Sequence, residues 1–164
     1  MLSPLWIAAG VIAVVDLAPG AGPLTAPPER VVTVPRVQSR ANVGTGLPRG
    51  APKYQQPYDP SDEGEYAINF GEFLEPDEEI ADILYMAVSP EGATLGIFLD
   101  VTPGNLPRIT DDKKHVQYRP LVDPARWNAR EFDADGTDVE VNARIRTTKN
   151  RKWKRSGIHE VREL

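Results

Sequence analysis

Between Thr137 and Thr148 the side chains alternate with a two-residue period: Val139, Val141, Ala143 and Ile145 are apolar, Glu140, Asn142, Arg144 and Arg146 polar. That period belongs to a strand with one wet face, and such a strand has to bury its other face against a second layer. Further strand patterns lie upstream. Tyr66, Ile68 and Phe70 alternate in EYAINF, with Phe73 and Leu74 placed to cover the end of the core. Glu79–Ser89 fits helix and strand spacing about equally; its neighbours and the turn signal Ser89-Pro90-Glu91-Gly92 favour a strand. Ala93–Thr102 puts Leu95, Ile97, Leu99 and Val101 on one face and Phe98 on the other. The expected interior is Ile68, Phe70, Leu95, Ile97, Leu99, Val139, Val141 and Ile145.

The interval 106–136 is less regular. His115-Val-Gln-Tyr reads as a strand that Pro120 ends or confines to an edge. Asp123 and Pro124 suit the N-cap and first position of a helical turn, which Trp127 and Phe132 would pack down. After the long strand a turn at Lys149–Arg151 returns the chain through Trp153 to Leu164. The spacing of turns is that of an all-β sandwich.

Prolines divide the chain. Ten of its 16 prolines fall in residues 1–61, which carry a net +2, whereas residues 62–164 carry −7. The expected organisation is therefore an extended, Pro-rich N-terminal arm over 1–61 and an acidic β domain over 62–164, with an inserted edge segment around 106–136. No helix of useful length survives prolines at this density, and residues 19–60 cannot bury enough apolar surface alone to offset their own ordering. The arm is expected to take its shape on other molecules. Its candidate partner contacts are Leu5, Trp6, Ile12 and Val14 in the apolar run Leu5–Val15, Val31, Val32 and Val34 in VVTVPRV, and Tyr54 and Tyr58 as anchors leading into the domain. The apolar run is too short to span a bilayer. A secretory signal is the rival reading of residues 1–22, against which stand the lack of a preceding Lys or Arg and the presence of Asp16.

Candidate chemistry is sparse. His115 and His159 are isolated and read as surface strand residues, giving neither a metal site nor a general base. Asp133-Ala-Asp135-Gly136-Thr-Asp138 has part of a calcium-loop spacing but no glutamate at the required distance, which suits a tight turn better. Glu72, Glu75, Asp77, Glu78 and Glu79 read as a solvated acidic turn. Gly44, Gly46 and Gly50 lack the Lys-Ser/Thr and helix of a phosphate loop. The net charge of −5 argues against nucleic acid as the main partner, and the basic run Arg151–Arg155 reads as a solvated turn. With no cysteine, disulfide and thiol chemistry are excluded. No cofactor, metal or catalytic residue is expected, and the chain reads as non-enzymatic.

One resemblance brings these segments together. Tyr66-Ala-Ile-Asn-Phe70, then Phe73-Leu74, an acidic turn, Glu79-Ile-Ala81 opening a strand, and finally Thr137–Thr148 with a turn and a terminal strand, is similar to the small immunoglobulin-like domain of tailed-bacteriophage virion proteins, including fibre-tail adaptors. Arg144, Ile145, Thr147 and Thr148 stand where that family has a similar strand ending. The resemblance covers residues 62–102 and 137–164 and not the arm. It implies an immunoglobulin-like sandwich of about seven strands and a structural role in the tail, neck or fibre adaptor of a virion, with other virion proteins as partners, a homo-oligomeric state, and neither nucleic acid nor membrane bound. A capsid decoration or cement protein is the nearest alternative, and an exported bacterial β-sandwich binding module the alternative from another class. Two departures stand out: the long interval 106–136, and the three-residue spacing of Ile158, Val161 and Leu164, which implies a bulge or an early end to the last strand.

Overall fold

A computed structural model describes residues 22–37, 47–48 and 50–164. Leu5, Trp6, Ile12 and Val14, the signal reading of residues 1–22 up to Gly22, and Gly44 and Gly46 lie outside the described residues. The described chain is all-β, with strands in three sheets around one continuous core.

The alternating stretch forms the longest strand, β8 (Thr137–Thr147), which pairs with β9 (Lys152–Val161) in an antiparallel hairpin from Thr137↔Val161 to Arg146↔Lys152. At its tip Asn150 takes a left-handed conformation (φ 58°), which a short polar side chain tolerates, and the Asn150 and Arg151 N–H groups donate to Thr147. The register runs to Val161 without interruption and the strand ends there, so of the two expected alternatives the last strand stops before Leu164 and the bulge is absent. It occurs instead on the other side of β8. There β3 (Ile80–Val88) pairs with β8 with register shifts between Ile80 and Asp82 and between Ile83 and Tyr85. Each shift inserts a residue, so Ile80, Ile83 and Met86 reach the core at three-residue intervals. This is the origin of the helix-like spacing in a segment that is a strand.

A four-stranded sheet, in the order β1-β2-β6-β5, contains β1 (Val31–Thr33), β2 (Tyr66–Asn69), β5 (Arg108–Ile109) and β6 (His115–Tyr118). Beyond Arg119 the chain leaves it, and β7 (Pro120–Val122) pairs with β4 (Ile97–Leu99) in a two-stranded sheet. Pro120 thus ends one strand and opens the next, where the chain turns a corner between sheets. Asp123 caps the following 3₁₀ turn, accepting from the Ala125 N–H at 3.0 Å with Pro124 at its first position.

Ala93–Thr102 departs from the expected strand. Ser89 caps a short helix, α1 (Pro90–Thr94), and only Ile97–Leu99 is extended. A Ser-Pro-Glu start is a helix start. Gly92 also lets α1 lie directly on β8, since a Cβ there would fall 2.4 Å from Val139 Cγ1 and 2.6 Å from Val88 Cγ1. Leu95 is accordingly only half-buried and Val101 is exposed, whereas Ile97 and Leu99 are interior.

The division at residue 61 is corrected by the described part of the leader. β1 runs parallel to β2, with Val31↔Ala67 and Thr33↔Asn69 in register, and the Val34 N–H donates to Asn69 O at 3.0 Å. Residues 52–58 run parallel to β9: Ile158 N–H donates to Pro52 O (2.8 Å), Tyr54 N–H to Ile158 O (3.0 Å) and Tyr58 N–H to Glu160 O (2.8 Å). The leader therefore extends one edge of each large sheet. Its prolines do not prevent this, because a strand added at an edge uses only alternate backbone groups, and Pro52 and Pro57 fall where no donor is required. The described leader belongs to the body.

Candidate functional site

Four tyrosines and a histidine meet where the leader crosses the core. Tyr54 and Tyr58 come from the leader, Tyr66 from β2, Tyr118 from β6 and His159 from β9, and all five are buried. The Tyr54 ring stacks on the imidazole at 4.3 Å and meets Tyr66 edge-on at 5.1 Å, while Tyr58 meets Tyr66 edge-on at 5.8 Å. Such pairs add about 0.5–1.5 kcal/mol each beyond the area they bury.

The polar atoms of Tyr54, Tyr118 and His159 form a chain, while Tyr58 Oη donates to backbone carbonyls and Tyr66 Oη has no partner. Tyr54 Oη lies 2.8 Å from Tyr118 Oη, which lies 2.6 Å from His159 Nε2, and Tyr54 Oη reaches Ala67 O at 3.3 Å. Every hydrogen in the chain finds an acceptor if His159 carries its proton on Nε2 and donates to Tyr118, Tyr118 donates to Tyr54, and Tyr54 donates to the Ala67 carbonyl. Nδ1, which has no partner, is then an acceptor and not a buried donor. Burial holds the imidazole far below its usual range, at about 3, so the ring is neutral in the folded chain. Burial also pushes the phenols of Tyr54, Tyr58 and Tyr118 up.

These placements correct the reading of several residues. Val32, Val34, Tyr54 and Tyr58 are interior contacts of their own chain, with Val31 half-buried beside β2. Their apolar surface is satisfied by β2, β9 and the core. His159 is a sealed core residue and not a surface one. His115 is half-buried at the end of β6, with Nδ1 2.7 Å from Asp112. The sequence offered one signal for the leader's docking. Gly157 lies in a strand that otherwise has no need of glycine, and a Cβ there would stand 3.0 Å from both Tyr54 Cε2 and Val32 Cγ2.

The acidic turn and the hairpin tip form a second cluster. Lys149 Nζ lies 2.7 Å from Asp77 and Arg151 3.0 Å from Glu75; Lys149 also pairs with Glu75, and Arg151 with Glu78. Glu78, with no exposed side-chain surface, is more than a solvated residue. Burial raises its carboxyl, but hydrogen bonds from Arg151, Thr147 and the Glu75 N–H outweigh that and hold it at about 2. The basic run Arg151–Arg155 is mostly strand and not turn. Arg155 points inward, stacks over Phe73 at 4.9 Å, and donates to Pro35 O (3.1 Å) and to Arg36 O of the leader.

Residues 133–138 make the turn that feeds β8. Gly136 has φ +65° and donates to Asp133 O at 2.9 Å, and a Cβ on it would strike Val161 O at 2.4 Å. Among the described residues no group of three or more His, Cys, Asp or Glu is placed to hold a metal ion, and no helix is long and apolar enough to cross a membrane.

An open groove lies on the two-stranded sheet. Phe98 and Leu121 are cross-strand partners facing outward, and with Trp127 and Pro60 they line a groove of about 250 Å³ rimmed by Asp62 and Glu63. Trp127 is partly exposed and held by its Nε1–H donating to Val122 O at 3.0 Å, while Phe132 is fully interior. The arrangement offers buried packing, charged surface and a shallow apolar groove. No family model, curated protein or solved structure matches this chain.

Proposed function

We propose that this chain is a non-enzymatic structural component of a tailed-phage virion, an adaptor of the tail, neck or fibre, whose body is an immunoglobulin-like sandwich. The observation that carries the reading is the order of its segments. Tyr66–Asn69, the Phe73-Leu74 turn, the strand from Ile80 and the terminal hairpin bearing Arg144, Ile145, Thr147 and Thr148 follow one another as in the virion family that the sequence resembles. A second support is the use made of the buried ionisable groups. His159, Tyr118 and Glu78 are engaged in internal packing and hydrogen bonding, a use suited to a rigid part. The described leader extends two sheet edges of its own body, and contact with neighbours is assigned to outward surfaces and to residues 1–21.

The test is location. Particles purified from a host carrying the coding sequence are to be examined by mass spectrometry and by immunogold labelling against this chain. Label at the tail or neck is expected. Label on the capsid shell would move the protein to decoration, and absence from particles, with secretion of a chain shortened to start near residues 20–25, would replace the proposal with an exported binding module.

A further inference from the structure

The half of the β8–β9 outer face nearest the hairpin tip is basic in an otherwise acidic protein, while Asp138, Glu140 and Glu160 occupy the same face at the far end. Arg144 stands directly opposite Lys154, and Arg146 directly opposite Lys152, all four exposed. Like charges facing each other across an antiparallel pair destabilise it. Two consecutive such pairs are therefore maintained against the stability of the hairpin.

Intramolecular compensation is partial. Arg146 pairs with Asp82 of β3, and Lys149 and Arg151 at the tip are held by Glu75, Asp77 and Glu78. Among the described residues Arg144, Lys152 and Lys154 have no carboxylate partner. Tyr85, in register with Arg144, lies among them, with Lys154 Nζ 5.8 Å from its ring centre. The patch is cationic and carries one aromatic ring.

The same chain carries a complementary surface. The turn between the leader and β2 holds Asp59, Asp62, Glu63 and Glu65 within seven residues. Glu63 is exposed without an ion-pair partner among the described residues, and Asp62 has only Arg30, at 3.7 Å. Beside this turn lie Phe98 and Trp127 of the shallow groove, an apolar floor for Tyr85 and the alkyl stems of Lys152 and Lys154. We propose that the basic face of β8–β9 docks against the acidic turn at residues 59–65 of a second copy of this chain. The two patches differ, so the contact is head-to-tail and closes into a ring or continues as a filament. Four cations on a chain of net charge −5 form a small footprint for a phosphate backbone, so the observations favour a protein partner over nucleic acid. The inference rests on the assembly reading above and identifies the partner.

Sedimentation velocity of the full chain over a concentration series tests it. The wild type is expected to self-associate, and to do so at least about tenfold more weakly when added salt shortens the Debye length from about 10 Å to about 3 Å. The double variant Arg144→Glu/Lys154→Glu, and separately Asp62→Lys/Glu63→Lys, should each lose association by a similar factor. An equimolar mixture of the two should associate, because the reversed face of one then complements the reversed turn of the other. Circular dichroism and thermal melting confirm that both variants fold; every substituted side chain points outward. A wild type that stays monomeric throughout, variants that associate undiminished, or a single-stranded oligonucleotide bound by a monomeric wild type would each overturn the proposal. Incorporation into particles is measured independently, so its failure and the failure of this contact are distinguishable.

Discussion

Tyr54 joins the leader to both large sheets, and removing it in two steps separates the packing from the hydrogen bonds. Tyr54→Phe deletes the hydroxyl that meets Tyr118 at 2.8 Å and Ala67 O at 3.3 Å, but leaves Tyr118 bonded to His159. Two hydrogen bonds are lost and the buried Tyr118 hydroxyl is left without an acceptor, a cost of about 1–3 kcal/mol. Tyr54→Ala also removes a ring that is 3 % exposed, stacked on His159 and edge-on to Tyr66. Truncation of a buried aromatic costs about 3–5 kcal/mol, a large share of the roughly 5–15 kcal/mol that holds a domain of this size. Urea denaturation followed by circular dichroism gives both numbers, and trypsin digestion under native conditions reports on Lys53, whose side chain is held by Asp138 at 2.8 Å and Glu160 at 2.7 Å. The Ala variant should be cleaved at Lys53 while β8–β9 stays intact. If Tyr54→Ala costs less than about 1 kcal/mol, or leaves Lys53 as resistant as in the wild type, the leader is not part of the core and the reasoning fails.

Other outcomes follow from the same packing. Gly157→Val should loosen the leader and cost about 1–3 kcal/mol, read as a lower urea midpoint, because a side chain there collides with Tyr54 and Val32. His159 sets a pH dependence. Its folded value, about 3, lies below the unfolded value of about 6.5, so its contribution is complete above pH 6.5 and declines as pH falls towards 3. At pH 5 the loss is about 2 kcal/mol, and His159→Phe should flatten the stability profile between pH 6.5 and 5 whatever its absolute cost. Glu78, lowered from 4.5 to about 2, contributes above pH 4.5 and loses that contribution as pH falls towards 2, so Glu78→Gln should change the profile only in that lower window.

The sequence made some of this legible and concealed the rest for identifiable reasons. β8 could be read because one of its faces is wet over most of its length, and the turn at Asp123-Pro124 because capping is local chemistry. β3 resembled a helix because two bulges convert a two-residue period into three. The end of β9 resembled an interrupted strand for a different reason: residues 155–159 are buried on both sides of the strand, so the contrast that creates alternation disappears. The leader was harder still. Its partners lie from 36 residues away, for Val31 and Ala67, to about a hundred, for Tyr54 and Ile158; edge addition needs only a few donors, and proline density reports on helices and central strands and not on this kind of docking. His159 was hidden because nothing local distinguishes a sealed histidine from an exposed one; the tyrosines that enclose it come from three other segments.

Native-state hydrogen exchange bears most directly on the claim that residues 52–58 complete the β9 edge of the folded body. The amides of Tyr54, Tyr58 and Ile158, which the structure pairs across that edge, should exchange as slowly as those of Val141 and Ile145 in the centre of β8. Exchange of all three at the rate of an unprotected chain, with β8 still fully protected, would contradict it.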